Sequence, residues 1–263
     1  MPVQRWLEKL TKAREFAEIL QQIESGEERI VLTGITPSAK PAFLAALHRL
    51  LEKPLLYVGR DGINYDSLLS ATAFYHATIS GRDDKSLSVL PAMEPEAFSG
   101  LSPHAEILEE RALTFWRLIQ AKLDILFCPL SAALNRIPDL HHTFASVPRL
   151  TIGVEYSPEV LVNFLLTAGY IQEEPVTSHG SFSLRGGILD VFPPDSENPC
   201  RIEFFGDAIE SLREFSVKSQ RSIGPIKEIS FVPMRETLLD AQIIKEWGEF
   251  AEISFDPTIY EEF

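Results

Sequence analysis

Residues 180–216 read GSFSLRGGILDVFPPDSENPCRIEFFGDAIESLREFS, and their punctuation decides the architecture of the second half of the chain. Four segments rich in aliphatic and aromatic residues, SFSLR, ILDVF, RIEFF and AIESLREFS, are separated by Gly-Gly, by a Pro-Asp-Ser-Glu-Asn-Pro loop and by Gly-Asp. Short gaps of that chemistry reverse the chain, so the spacing predicts an antiparallel meander. Arg185, Arg201, Glu203 and Arg213 interrupt the apolar strand residues. In a half-buried sheet such charges line the solvent face, and arginine among aromatic groups is also the composition that dominates protein interfaces.

Upstream the rhythm is different. IVLTG (30–34), a helical stretch SAKPAFLAALHRLLEK (38–53) and PLLYVG (54–59) alternate as strand, helix, strand. The alternation continues through YDSLLSATAFYHA (65–77), LSVLP (87–91), SPHAEILEERALTFWRLIQAK (102–122) and LDILFCP (123–129). That is the order of a parallel α/β layer, expected over residues 1–130. Ahead of it, Trp6, Leu7, Leu10, Phe16, Ile19 and Leu20 recur at roughly helical spacing, which predicts one amphipathic helix over 4–24. After residue 130 the pattern changes. One more strand (RLTIGV, 149–154) and helix (SPEVLVNFLLTAGY, 157–170) lead into the meander, and EISFVP (228–233) with a mixed helix ETLLDAQIIKEWGEF (236–250) follows it.

The turn after IVLTG nearly spells a phosphate-binding loop, G-x-x-x-x-G-K-[ST]. Gly34 and Lys40 are in place, but Ala39 stands at the second glycine and Pro41 at the metal-ligating hydroxyl. Pro41 removes both that oxygen and a backbone N–H donor, and Pro37 stiffens the loop. Such an ATPase also needs an apolar strand ending in a Mg²⁺-binding aspartate, whereas LDILFCP places Asp124 before its strand and ends in Cys128 and Pro129. Hydrolysis is therefore excluded on two independent grounds. The fold class expected is α/β, a P-loop-NTPase-like parallel sheet with a degenerate Walker A, joined to an inserted α+β domain.

Other chemistry is sparse. The six histidines contain no H-E-x-x-H and no i,i+4 pair, and His141 and His142 are sequential, so no metal site is expected. Serines in SHGSFS and TPSAK lack a G-x-S-x-G elbow, and Glu203, Asp207 and Glu210 along a strand and turn read as an exposed face rather than an acid/base pair. No catalytic residue or cofactor follows. Cys128 and Cys200 belong to no C-x-x-C, so a reducing, cytoplasmic location fits. The N-terminus has no signal-peptide layout and no apolar run is long enough to span a membrane. With 24 Lys and Arg against 38 Asp and Glu among 263 residues, the net charge of -14 opposes phosphate binding, so the chain is no DNA clamp.

The stretch from Gly180 to Ser222, with SFSLRGGILDVFP, RIEFFGDAIESLREF and QRS, closely resembles a segment of the bacterial transcription-repair coupling factors (Mfd), and UvrB of nucleotide excision repair has a related version. LSPHAEILEERALTFWRL resembles the coupling-factor segment that precedes the strand here reading ILFCP. Three features favour that family over UvrB: UvrB keeps an intact Walker loop, its Tyr-rich DNA-gripping hairpin has no room in SLSVLPAMEPEAFSGLSPHAEIL, and it has Arg where this chain has Ser183. The resemblance implies a degenerate NTPase-like domain over 1–130, a UvrB-type domain binding UvrA over 131–221, and an incomplete return segment over 222–263.

It further implies a non-catalytic module that recruits UvrA to a stalled polymerase. The family's ATP-driven translocase and polymerase-interacting domain are expected to be absent here, so that RNA polymerase and DNA are partners only through them, and the remainder of the family protein packs on this module. Arg185, in the LRGG turn, falls on an arginine position that the family uses against UvrA, with Phe182 and Arg201 as neighbours. The family commonly shows Tyr-x-Arg at the sheet entry, and this chain has Tyr170-Ile171-Gln172, which keeps hydrogen bonding and loses charge. The rival readings, a nucleotide-binding protein or a UvrB-like binder of damaged DNA, are opposed by Pro41 and by the acidic balance respectively.

Overall fold

The computed structural model describes residues 2–81, 86–93, 103–239 and 243–245. Two compact units emerge, Met1–Pro103 with Arg117–Arg136, and His104–Trp116 with Ile137–Phe263. In the first, α1 (Pro2–Thr11), α2 (Arg14–Glu24) and α3 (Lys40–Leu51) precede β1 (Leu55–Gly59), α4 (Tyr65–Ser80) and β2 (Leu87–Val89). Helix α5 (Ala105–Ile119) passes from one unit to the other after Trp116, and β3 (Ile125–Pro129) and α6 (Leu130–Leu134) complete the first.

The expected parallel sheet is present, in the order β1-β3-β2. Tyr65, Leu68, Leu87, Ile125 and Phe127 form its core with Leu44 and Leu55 packed against them. Helix α4 starts where Asn64 accepts a hydrogen bond from the Ser67 amide at 2.9 Å and stops at Gly81, whose φ of 70° a side chain would disfavour.

Two expectations for this unit are corrected. The helix over 4–24 is broken, because Ala13 is extended between α1 and α2. Leu7 and Phe16 are both buried, yet nine residues are about two and a half helical turns and would place them on opposite sides of one continuous helix. The break returns both to the core. IVLTG forms no strand: Val31 is 71% exposed, and among the described residues no strand pairs with 30–34. Apolar composition supplies a strand's side chains but not the neighbouring edge that satisfies its backbone.

The second unit contains α7 (Leu140–Ala145), β4 (Arg149–Thr151), α8 (Pro158–Thr167), β5 (Ile171–Gln172), β6 (Ser181–Arg185), β7 (Ile188–Val191), β8 (Cys200–Phe205), β9 (Ala208–Phe215), β10 (Ser222–Pro225) and β11 (Glu228–Ser230). Six of them form one sheet in the order β10-β9-β8-β7-β6-β5, antiparallel except for the parallel β5–β6 pair. The meander predicted from the turns is β6 to β9. Strands β4 and β11 pair separately. The tail helix expected over 236–250 lies largely outside the described residues, as does much of the stretch around residues 94–102.

One face of the six-stranded sheet is apolar. Phe182, Leu189, Val191, Ile202 and Leu212 bury against Leu161 and Leu165 of α8, and Tyr170 seals the edge by donating its hydroxyl to the Val232 carbonyl at 2.7 Å. Burial drives the Tyr170 phenol well above its ordinary pKa. Cys200 belongs to the same core, and burial pushes its thiol up to about 12, which leaves it a packing residue rather than a nucleophile. Behind this core Arg111 of α5, fully buried, donates from Nε and Nη2 to one carboxylate oxygen of Glu236 at 3.0 and 2.9 Å.

Candidate partner-binding site

Alternation sends every second residue of the meander to the other face, and the register aligns them into rows. Ser183, Asp190, Arg201 and Arg213 lie side by side across β6, β7, β8 and β9, and Arg185, Ile188, Glu203 and Ser211 form the next row. Three arginines and their carboxylate partners thus interleave on one surface.

The two rows are not equivalent. Arg201 forks onto Asp190 with two bonds of 2.7 Å, and its guanidinium lies 4.8 Å from the Phe215 ring centroid. Asp190 is 3% exposed and Arg201 19%. The hydrogen bonds that Arg201 donates to Asp190 hold its pKa above the ordinary value. Phe215 in turn packs with Val176 and Phe192, so the segment after β5 covers this end of the polar face. Removing Arg201 would take both short bonds from the buried Asp190 and leave only Arg185 near it, at 3.6 Å, so a cost to the fold is expected.

Arg185 is different. Its side chain is 54% exposed, bonded to Glu174 at 2.8 Å, with Asp190 at 3.6 Å. An exposed pair of this kind is worth about 0–1 kcal/mol, so Glu174 orients the guanidinium and releases it cheaply to a better carboxylate. Directly opposite Arg185 is the exposed Ile188, and at the tip of the β8–β9 hairpin Phe205 is 76% exposed. Apolar groups around an orientable arginine fit the make-up of interface centres.

The residues singled out from sequence therefore separate. Arg185 stands on the open surface. Phe182 is fully buried on the opposite face, within the core that Leu161 and Leu165 of α8 complete. Gln172 is exposed on the edge strand, but it pairs with Phe182 while its neighbour Ile171 pairs with Ser181. By that register Ile171, 71% exposed, shares the Arg185 face and Gln172 does not. Ser183 is buried beside Asp190.

The β6–β7 turn that presents Arg185 depends on two glycines. Gly186 has φ of 57°, and a Cβ on Gly187 would stand 2.7 Å from the Phe204 carbonyl oxygen. The backbone approach is tight there because the Phe204 amide donates to the Gly187 carbonyl at 2.7 Å. Gly187→Ala is expected to cost about 1–3 kcal/mol through that overlap. Urea unfolding reads it, and a substitution without measurable cost would show that the hairpin opens freely.

In the first unit, Lys40 begins α3 and donates from Nζ to the Tyr57 hydroxyl at 3.3 Å, lying 5.7 Å from that ring's centroid. Pro41 is buried in the first turn, Ala39 caps without a side-chain bond, and Gly34 has φ of 81°. Sequence spacing offered no histidine pair, yet the fold brings His48 and His76 together beside Asp124. No helix among the described residues is long and apolar enough to cross a membrane.

Comparison with known proteins adds a matched domain and a set of relatives. Residues 149–236 match the UvrB interaction domain, a span that contains both β4 and the whole polar face. The transcription-repair-coupling factor of Myxococcus xanthus is 33% identical over 227 residues, 86% of this chain and 19% of that protein. Those of Escherichia coli and Bacillus subtilis are 30% and 27% identical over 89% and 88% of the chain. The chain spans about a fifth of the length of these relatives. A UvrB interaction domain therefore lies at 149–236 of a chain whose relatives, along most of its length, are the bacterial transcription-repair-coupling factors.

Proposed function

We propose that this chain is a non-catalytic interaction module that binds UvrA through the polar face of its six-stranded sheet and so links stalled transcription to nucleotide excision repair. The observation that carries it is the coincidence of the matched interaction domain with the sheet on which Arg185 is exposed, orientable and flanked by Ile188. A UvrA carboxylate would displace Glu174 and take the fork of the guanidinium, a geometry that lysine cannot reproduce.

The first unit is proposed to be a degenerate NTPase-like domain. Lys40, the side chain that would reach phosphates, rests on Tyr57, and Pro41 offers neither hydroxyl nor amide. RNA polymerase and DNA are proposed to be reached only through other parts of the coupling factor, whose remainder would pack on this module, and the location is proposed to be cytoplasmic.

The experiment is a calorimetric titration of the chain with UvrA of the same organism, and with ATP and Mg²⁺ in a separate cell. Heat with UvrA and none with ATP is the expected result. Heat with ATP alone would overturn the reading in favour of a nucleotide-binding protein. Lys40→Ala is expected to leave UvrA affinity unchanged and stability within about 0.5 kcal/mol of the parent chain, and a loss of UvrA binding in that variant would move the site to the first unit.

A further inference from the structure

The C-terminal ends of α3 and α4 meet the start of β3 at three side chains outside the sheet surface described above. His48 and His76 are buried, and Asp124 is nearly so. His76 Nε2 lies 3.3 Å from His48 Nδ1 and 3.2 Å from Asp124 Oδ2, and His48 Nε2 lies 3.4 Å from Asp124 Oδ1. One ligand atom from each of the three falls within 4.8 Å of the others.

The Ser80 hydroxyl donates to the His76 carbonyl at 2.7 Å and also lies 3.4 Å from His76 Nδ1, on the side of the ring away from Nε2. His48 faces its neighbours with both ring nitrogens, Nδ1 toward His76 and Nε2 toward Asp124. Two imidazoles and a carboxylate gathered from three elements form a donor set that a divalent transition metal takes together.

We propose that His48, His76 and Asp124 bind a divalent transition-metal ion of the zinc class. Metal bonds of 2.0–2.2 Å in a tetrahedral site separate neighbouring ligand atoms by about 3.3 Å, and the separations of His76 Nε2 from the nearer His48 nitrogen and from Asp124 Oδ2, 3.3 and 3.2 Å, are of that size. Ser80 on the far nitrogen of His76 is the orienting partner that a metal-bound imidazole ordinarily has. A cleft of about 570 Å³, lined by His48, Asp124, Ser80 and Glu52, gives the ion an entry path and room for a water as fourth ligand. His48 also sits in the last turn of α3, where the helix dipole favours positive charge. The ion ties the ends of two helices to the first residue before a strand.

The test uses the full chain stripped with chelator. Titration with cobalt(II) is expected to give visible ligand-field bands of tetrahedral intensity saturating at one ion per chain, and zinc is expected to displace the cobalt and raise Tm in a manner that EDTA reverses. His48→Gln and His76→Gln are expected to abolish the bands. Ser80→Ala, which leaves all three ligands, is expected to weaken zinc binding about 10–100-fold, and circular dichroism checks that each variant is folded. Bands that persist in both histidine variants would place the ion on other histidines and overturn the proposal. So would a parent chain that takes up no more metal than His48→Gln, in which case the three side chains share only a proton.

Discussion

Arg185→Glu is expected to weaken UvrA binding at least about 30-fold, or about 2 kcal/mol, while the chain stays folded. The size follows from what the guanidinium does in each state. Free, it holds Glu174 across an exposed pair worth little. In the proposed complex it would be desolvated against a UvrA carboxylate, where the reversed charge would meet like charge in a dry contact. The fold tolerates the change because Asp190, the buried carboxylate of the face, is held by Arg201 through two bonds of 2.7 Å. Two companions sharpen the result. Arg185→Lys keeps the charge and loses the fork, so an intermediate loss is expected. Glu174→Gln removes the competing carboxylate, and equal or tighter binding is expected. A folded Arg185→Glu chain that binds UvrA as the parent does would take Arg185 out of the site.

What could be read from the sequence was what alternation and turn chemistry fix locally. SFSLR is β6 to the residue, and the Gly-Gly and Gly-Asp turns set its neighbours, because a strand with one buried face has its register forced by its own apolar residues. The same alternation separates Phe182 from Arg185: three apart on one strand, they face opposite sides of the sheet. Strand β10, with Gly224 and Pro225, carries no apolar period and exists only because β9 offers it an edge. IVLTG is the converse, a strand by composition with no partner among the described residues. His48, His76 and Asp124 stand on three different elements, and no spacing rule connects residues that only the packing of α3, α4 and β3 brings together.

Arg111→Met is expected to destabilise the second unit by about 3–5 kcal/mol, the cost of a buried charge left without its partner. Arg111 is fully buried on α5 and Glu236 nearly so, 125 residues later, and both Nε and Nη2 of the arginine point at the same oxygen. Glu236→Leu is expected to be harmful too, since it removes the oxygen that accepts from both Nε and Nη2 of the buried guanidinium. The double substitution Arg111→Met with Glu236→Leu removes both charges and fills the space, so most of the loss should be recovered, and guanidinium unfolding of the four chains measures the coupling directly. Single variants that cost less than about 1 kcal/mol would mean that water reaches the pair. The consequence reaches the polar face. The matched domain ends at Glu236, but the residue that neutralises Glu236 lies on α5, well before the domain begins at 149. A chain cut to begin at residue 137 would carry the whole polar face, including Arg185, and still lack its internal counter-charge. It should therefore unfold more readily than one beginning at 104, and it should lose UvrA binding through instability that no change on the surface could repair.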